Sequence, residues 1–355
     1  QGGGMNLGFG KIYGKVVAYD ITTGKYKPIS GAFVAVTETV ELFVGRNGVI
    51  GSGQPNTFFN LLLKSDSEGR FEVTGVRTSM QDMWTDVTYS IYSFTINLSN
   101  GNIEYAIDMG RYGTGGNLPD VTMSFGEVQV SSFVFRCGSI YTYGLLNYKD
   151  LSSTLRFSVL DIASLSEALF YGFQTDVHFA PWLNIFYVEP EKSTAILGLV
   201  GSDIRAALLN EGKGYVVRAG EQLSLTLTPL QAAKDFMWLN RERFNLVQPH
   251  NIYSPGERAE RFYLAAEFYA NESMAYVTEP ARSFAGAYSA WNFAGESYAI
   301  ELTLIKDIIN TMWVYTALLL PFAFLLERLM LGKGGLKRLL ALVVIIAAFM
   351  GILYF

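Results

Sequence analysis

The sequence predicts mainly β extracytoplasmic modules of the β-sandwich type, followed by an α-helical, coiled-coil-like stalk and two transmembrane helices. Three observations carry this expectation. β-Branched and aromatic runs broken by turn residues fill the first 230 positions. Beyond Pro229 the apolar period changes to three and four residues. Two stretches without formal charge, 308–326 and 339–355, then close the chain, each near the length that crosses about 30 Å of hydrocarbon as helix.

Taken in order, residues 1–9 read as a flexible terminus. The chain starts at Gln1 rather than Met, which fits removal of a signal peptide. The glycines of "GFGKIYG" lack the dinucleotide-binding spacing and precede a strand, so no nucleotide cofactor is expected. Residues 10–82 read as one small sandwich. Its runs are punctuated at Thr23-Gly24 and Pro28, and "LLLKSDSEGRFEVTGV" presents two strands around Asp66, Ser67, Glu68 and Gly69, a hairpin signal. Residues 83–229 hold one or two further β-domains, with a boundary near 125. Leu155, Phe157 and Val159, and likewise Leu223, Leu225 and Leu227, alternate with polar residues as half-buried strands do. The glycine-rich stretch 109–120 is expected as a surface loop. Trp182, Phe186 and Tyr187 are expected in packing rather than in a ligand contact.

Residues 230–307 form the expected helical stalk. Ala232, Phe236, Leu239 and Leu246 keep heptad spacing with Arg243 between them, and Ser254 to Glu257 reads as a capping box. After a turn in "NESMAYVTEP", Phe284, Ala287, Trp291, Ala294, Tyr298 and Ile305 recur, with Glu301 interrupting the seam. A helix over about 281–331 would be on the order of 75 Å long. The first membrane span is expected at 308–331, with Pro321 inside it, and the second at 339–355. Between them, 332–338 is a basic loop that stays cytoplasmic, which places residues 1–307 outside. Those 307 residues hold 23 basic and 31 acidic side chains, a net charge of −8, so no nucleic-acid partner is expected.

Two resemblances rest on quoted residues. "PISGAFVAV" followed by "SDSEGRFEVTGV" resembles the carboxypeptidase regulatory-like family, a transthyretin-like or Cna-B-like sandwich. That resemblance implies a non-catalytic spacer or binding module over about 70 residues. "AKDFMWLNRERFNLV", the hairpin after it and "LLLPFAFLLERLM" resemble the stalk and first span of archaeal and bacterial membrane proteins with FtsX-like permease regions. This second resemblance implies an ATPase partner, although the chain carries no phosphate-binding "GxxxxGK[ST]".

Little in the sequence points to catalysis. His178 and His250 stand far apart and Cys137 is the one cysteine, so neither a zinc spacing nor a disulfide framework exists. No catalytic residue and no cofactor is assigned. Asp66, Glu68 and Glu72 could offer oxygens to Ca²⁺, with a solvated turn as the preferred reading. Asn97 in "NLS" and Asn271 in "NES" are glycosylation acceptors where the host glycosylates its surface proteins. The expected function is a membrane-anchored, non-enzymatic protein for binding, adhesion or assembly of a cell-envelope complex, with membrane lipid and envelope proteins as partners. The alternative is the outer portion of an FtsX-like permease coupled to a cytoplasmic ATPase.

Overall fold

The computed structural model describes residues 9–42, 56–78, 85–117, 119–123, 126–152, 155–175, 183–247 and 253–330. Contacts divide the chain into two units. The first comprises Gln1–Phe236 with Phe268–Asn292, and the second Met237–Glu267 with Phe293–Phe355.

The first unit opens with nine strands: β1 (Phe9–Asp20), β2 (Lys25–Pro28), β3 (Phe33–Leu42), β4 (Asn56–Lys64), β5 (Arg70–Arg77), β6 (Thr85–Ile96), β7 (Ile103–Ile107), β8 (Asp120–Thr122) and β9 (Glu127–Arg136). They form one hydrogen-bonded system in the order β2-β1-β9-β7-β6-β3-β4, with β5 also on β1 and β8 also on β6. Alternation drives it. Ile12, Val16 and Ala18 of β1 point inward and pack with Val34, Val36, Phe71, Val73, Tyr89 and Ile91. Hydrogen bonding therefore carries this sheet well past residue 82, through β6 to β9.

The expected hairpin around Asp66 is not one. β4 pairs with β3 and β5 pairs with β1, so the turn is a crossover. Sequence spacing fixes the turn but not the partners of the strands on either side of it.

Eight shorter strands follow: β10 (Gly138–Tyr143), β11 (Arg156–Asp161), β12 (Ser166–Glu167), β13 (Tyr171–Thr175), β14 (Leu183–Val188), β15 (Thr194–Val200), β16 (Asp203–Leu208) and β17 (Gln222–Leu225). They make two four-stranded sheets, β13-β14-β10-β17 and β12-β11-β15-β16. Phe157 of one sheet meets Phe186 of the other edge-to-face at 4.9 Å, within a core that includes Ile140, Val159, Tyr187 and Ile196. Trp182 lies outside the described residues. The glycine-rich stretch begins in the core rather than on the surface. Met109 is buried, its N–H donates to Tyr171 O at 2.6 Å, and a Cβ on Gly110 would stand 2.2 Å from Leu169 O.

Three helices complete the chain: α1 (Thr228–Val247), α2 (Tyr253–Ala275) and α3 (Pro280–Met330). Within the first unit, the end of α2 and the start of α3 form a hairpin pinned by reciprocal bonds. Ser273 Oγ donates to Ser283 O at 2.8 Å and Ser283 Oγ to Ser273 O at 2.9 Å. The turn is shorter than "NESMAYVTEP" suggested, because nothing in that stretch before Ala275 breaks a helix, and Asn271 is therefore helical. Trp291 is fully buried, donates from its indole N–H to Arg205 O at 3.1 Å and stacks near Tyr288.

In the second unit α3 continues past its buried Ala294, Tyr298 and Glu301 to a run that exposes Ile309, Met312, Trp313, Leu318, Phe322 and Leu325. Among the described residues, no helix is long and apolar enough to cross a membrane. The segment expected as the first span, 308–331, is helical to Met330 but does not meet that description among the described residues. The expected loop 332–338 and second span 339–355 lie outside the described residues.

Candidate functional site

β1 is flanked along its length by β5 and β9, and the register sets what its outer face presents. Tyr13 stands between Glu72 and Gln129, Lys15 between Arg70 and Ser131, and Lys11 between Thr74 and Glu127. Together with Asp66 and the underlying Phe71, Tyr13, Gly14, Lys15, Arg70, Glu72 and Gln129 line a cleft of about 410 Å³. Glycine is required at position 14, since a Cβ there would lie 1.7 Å from Val130 O.

Two of the three acids offered for Ca²⁺, Asp66 and Glu72, line this cleft, and Glu68 lies at its turn. Each is already engaged. Asp66 Oδ1 accepts from Glu68 N and Arg70 N, both at 2.8 Å, and the Arg70 amide is the main influence holding its carboxyl below the usual range. Glu68 pairs with Arg70, and Glu72 with Lys11 at 3.0 Å. That hydrogen bond to Glu72 raises the Lys11 pKa. Basic residues interleave with the acids, and among the described residues no group of three or more ligating side chains is poised for a metal.

Buried carboxylates lie elsewhere. Asp235 is fully buried on α1. It accepts from the backbone N–H groups of Leu209 (2.7 Å), Asn210 (3.2 Å) and Glu211 (2.8 Å), with Asn210 and Glu211 both at positive φ to aim them. Burial pushes its carboxyl up, and these donors oppose the shift. Asp108, also buried, accepts from Gly110 N at 2.8 Å, and burial raises it to about 7.

In the second unit Glu301 is 3% exposed, and burial raises it to about 8. Ser297 Oγ donates to Ala259 O at 2.9 Å and lies 3.4 Å from Glu301 Oε1. That contact is a second, longer donation from the Ser297 hydroxyl, and it opposes the rise that burial causes. Arg243 turns toward Tyr298, its Nη2 3.1 Å from the hydroxyl and its guanidinium carbon 4.0 Å from the ring centroid, which leaves Glu301 only partly compensated. Glu301 Oε2, Arg243 Nη1 and Asn240 Oδ1 are buried without a hydrogen-bond partner among the described residues.

The glycosylation acceptors fall in different settings. Asn97 sits in a turn after β6, where its Oδ1 accepts from Ser99 N at 3.0 Å. Asn271 is exposed on α2, but its partner Ser273 is buried in the hairpin. His178 and His250 lie outside the described residues. Sequence reasoning missed Tyr13 and Lys15, whose alternation in "KIYGK" was a legible signal, Gln129 on β9, and Asp235, which reads as a routine helix residue.

No family model matches the chain and no curated protein matches it, so neither the regulatory-like nor the permease resemblance gains support there. Similar solved structures include the shaft pilin SpaA of Lactobacillus rhamnosus GG, at 8% identity over 61% of this chain and 96% of that one, with a TM-score of 0.22. The minor pilin GBS52 of Streptococcus agalactiae aligns at 14% identity over 36% and 46%, TM-score 0.18. The fimbrial anchor protein Mfa2 of Porphyromonas gingivalis aligns at 8% over 54% and 77%, TM-score 0.21. At these values function has to be argued from the chain's own residues.

Proposed function

We propose that the chain is a non-enzymatic protein of the cell envelope, located outside the cytoplasm, that presents its β-modules for binding, adhesion or assembly with other envelope proteins. In this reading its apolar C-terminal part holds it at a membrane. One observation carries the reading: α3 exposes Met312, Trp313, Leu318, Phe322 and Leu325 along one stretch, with Trp313 71% exposed. Apolar surface of this extent calls for a cover of lipid or protein. The uncharged segment 339–355 adds to it, and the basic residues between them suit the cytoplasmic side of an anionic bilayer.

The β1/β5/β9 face is the proposed binding face, because its titratable groups are arranged as ion pairs rather than as a nucleophile with a base. The permease alternative and its ATPase have nothing in the structure or the comparisons to favour them. Membrane fractionation tests the attachment. The native protein is expected in the membrane fraction, and replacing Met312, Leu318, Phe322 and Leu325 by Ser is expected to release it. Recovery of the native protein wholly in the soluble fraction would sink the reading.

A further inference from the structure

We infer that the cleft beside Tyr13 binds a neutral saccharide chain. The inference rests on the proposed role of the β1/β5/β9 face and names its ligand class.

The side chains there divide by what they already hold. Lys11 is held by Glu72, Arg70 by Glu68, and Asp66 by the amides of its own turn. The side chains of Lys15 and Gln129 and the Tyr13 hydroxyl make no hydrogen bond or ion pair among the described residues, while the Lys11 ammonium stands 5.3 Å from the centroid of the Tyr13 ring. Tyr13 and Gln129 are direct neighbours across β1 and β9, and Lys15 stands two positions further along the same face of β1. Three groups with unused hydrogen-bonding capacity thus converge: a phenol hydroxyl, an amide that both donates and accepts, and an ammonium that donates.

Charge selects among ligands. The lining holds Lys15 and Arg70 against Asp66 and Glu72, so its formal charges cancel. Such a site neither gathers a polyanion nor attracts a polycation. The floor is the strand at Gly14 and Phe71, whose side chain packs in the core, and the wall is the Tyr13 ring. An aromatic wall beside a few polar groups with free hydrogen-bonding capacity suits a ligand with one C–H face and many hydroxyls, which is the chemistry of a pyranose ring. The cleft volume of about 410 Å³ lies within the range of small-ligand sites. Because it sits on an open sheet face, further sugar units can extend beyond it.

The test is calorimetric titration of the purified full chain with soluble glucan, chitin-type and mannan oligosaccharides, with dextran sulfate as the charged control. At least one neutral chain is expected to bind, with an affinity insensitive to added salt. Tyr13→Ala should weaken it by about tenfold or more, Gln129→Ala by several-fold, and Lys25→Ala on β2 not at all. Tyr13→Phe keeps the ring and should retain most of the affinity, which separates loss of the site from loss of the fold. Absence of binding to every neutral chain, unchanged binding by Tyr13→Ala, or salt-sensitive binding to dextran sulfate alone would overturn the inference. None of these results touches the fractionation test, so the two readings fail separately.

Discussion

The β-unit and the helical unit bury carboxyl groups by opposite means. Asp235 lies among strands and turns, and the 209–211 turn gives it three backbone N–H donors. Glu301 lies among helices whose backbone donors are spent on their own turns, and among the described residues it finds the Ser297 hydroxyl and a guanidinium turned toward Tyr298. A turn packed against a helix can therefore supply backbone donors to a buried carboxyl, whereas a helix packed against other helices must obtain its partners from side chains. The helical unit keeps its acid by keeping it protonated.

Four changes break or sharpen this contrast, beginning with the largest effect. Trp291→Ala removes the largest fully buried side chain among the described residues and orphans Arg205 O, so the β-unit should lose about 4 kcal/mol in urea unfolding. Asp235→Ala strands three amides and should cost about 3 kcal/mol, with faster amide exchange at 209–211. If that exchange stays slow, the turn does not depend on the carboxylate.

Glu301 supplies the pH dependence. The unfolded chain gives up this proton near 4.5 and the folded chain near 8, so between those values the folded state binds more protons. Stability of the helical unit should fall as pH rises, with a slope approaching about 1.4 kcal/mol per unit. Asp108 shares the lower part of this window, being raised to about 7, so the limb above it belongs to Glu301 and should vanish in Glu301→Gln. Melting followed from mildly acidic to mildly alkaline pH in both proteins measures it. Ser297→Ala has the smallest effect: about 1 kcal/mol, with the alkaline limb moved to higher pH because a donor that holds the Glu301 pKa down is gone.

The helices were legible because their signal is local. Trp291, Ala294 and Tyr298 recur at helical spacing, and α3 starts at Pro280, within a residue of where that period put it. Strand pairing was not, since β1 bonds to β5 and β9 from distant parts of the chain. The cleft depends on that pairing. Asp66 and Glu72 could be noticed as acids near a turn, but Lys11, the ion-pair partner of Glu72, and the neighbouring Tyr13 and Gln129 come from two other strands. Met109 was misjudged because glycine-rich composition marks close backbone approach as readily as a surface loop.

The central claim is that the β-unit faces the outside of the cell. Leu98 is 93% exposed in a turn of that unit, and the native Cys137 is buried, so Leu98→Cys provides one reporter thiol. Cells carrying this variant would be treated with a membrane-impermeant maleimide before and after lysis. The account predicts full labelling of the intact cells. Labelling that appears only after lysis would contradict it.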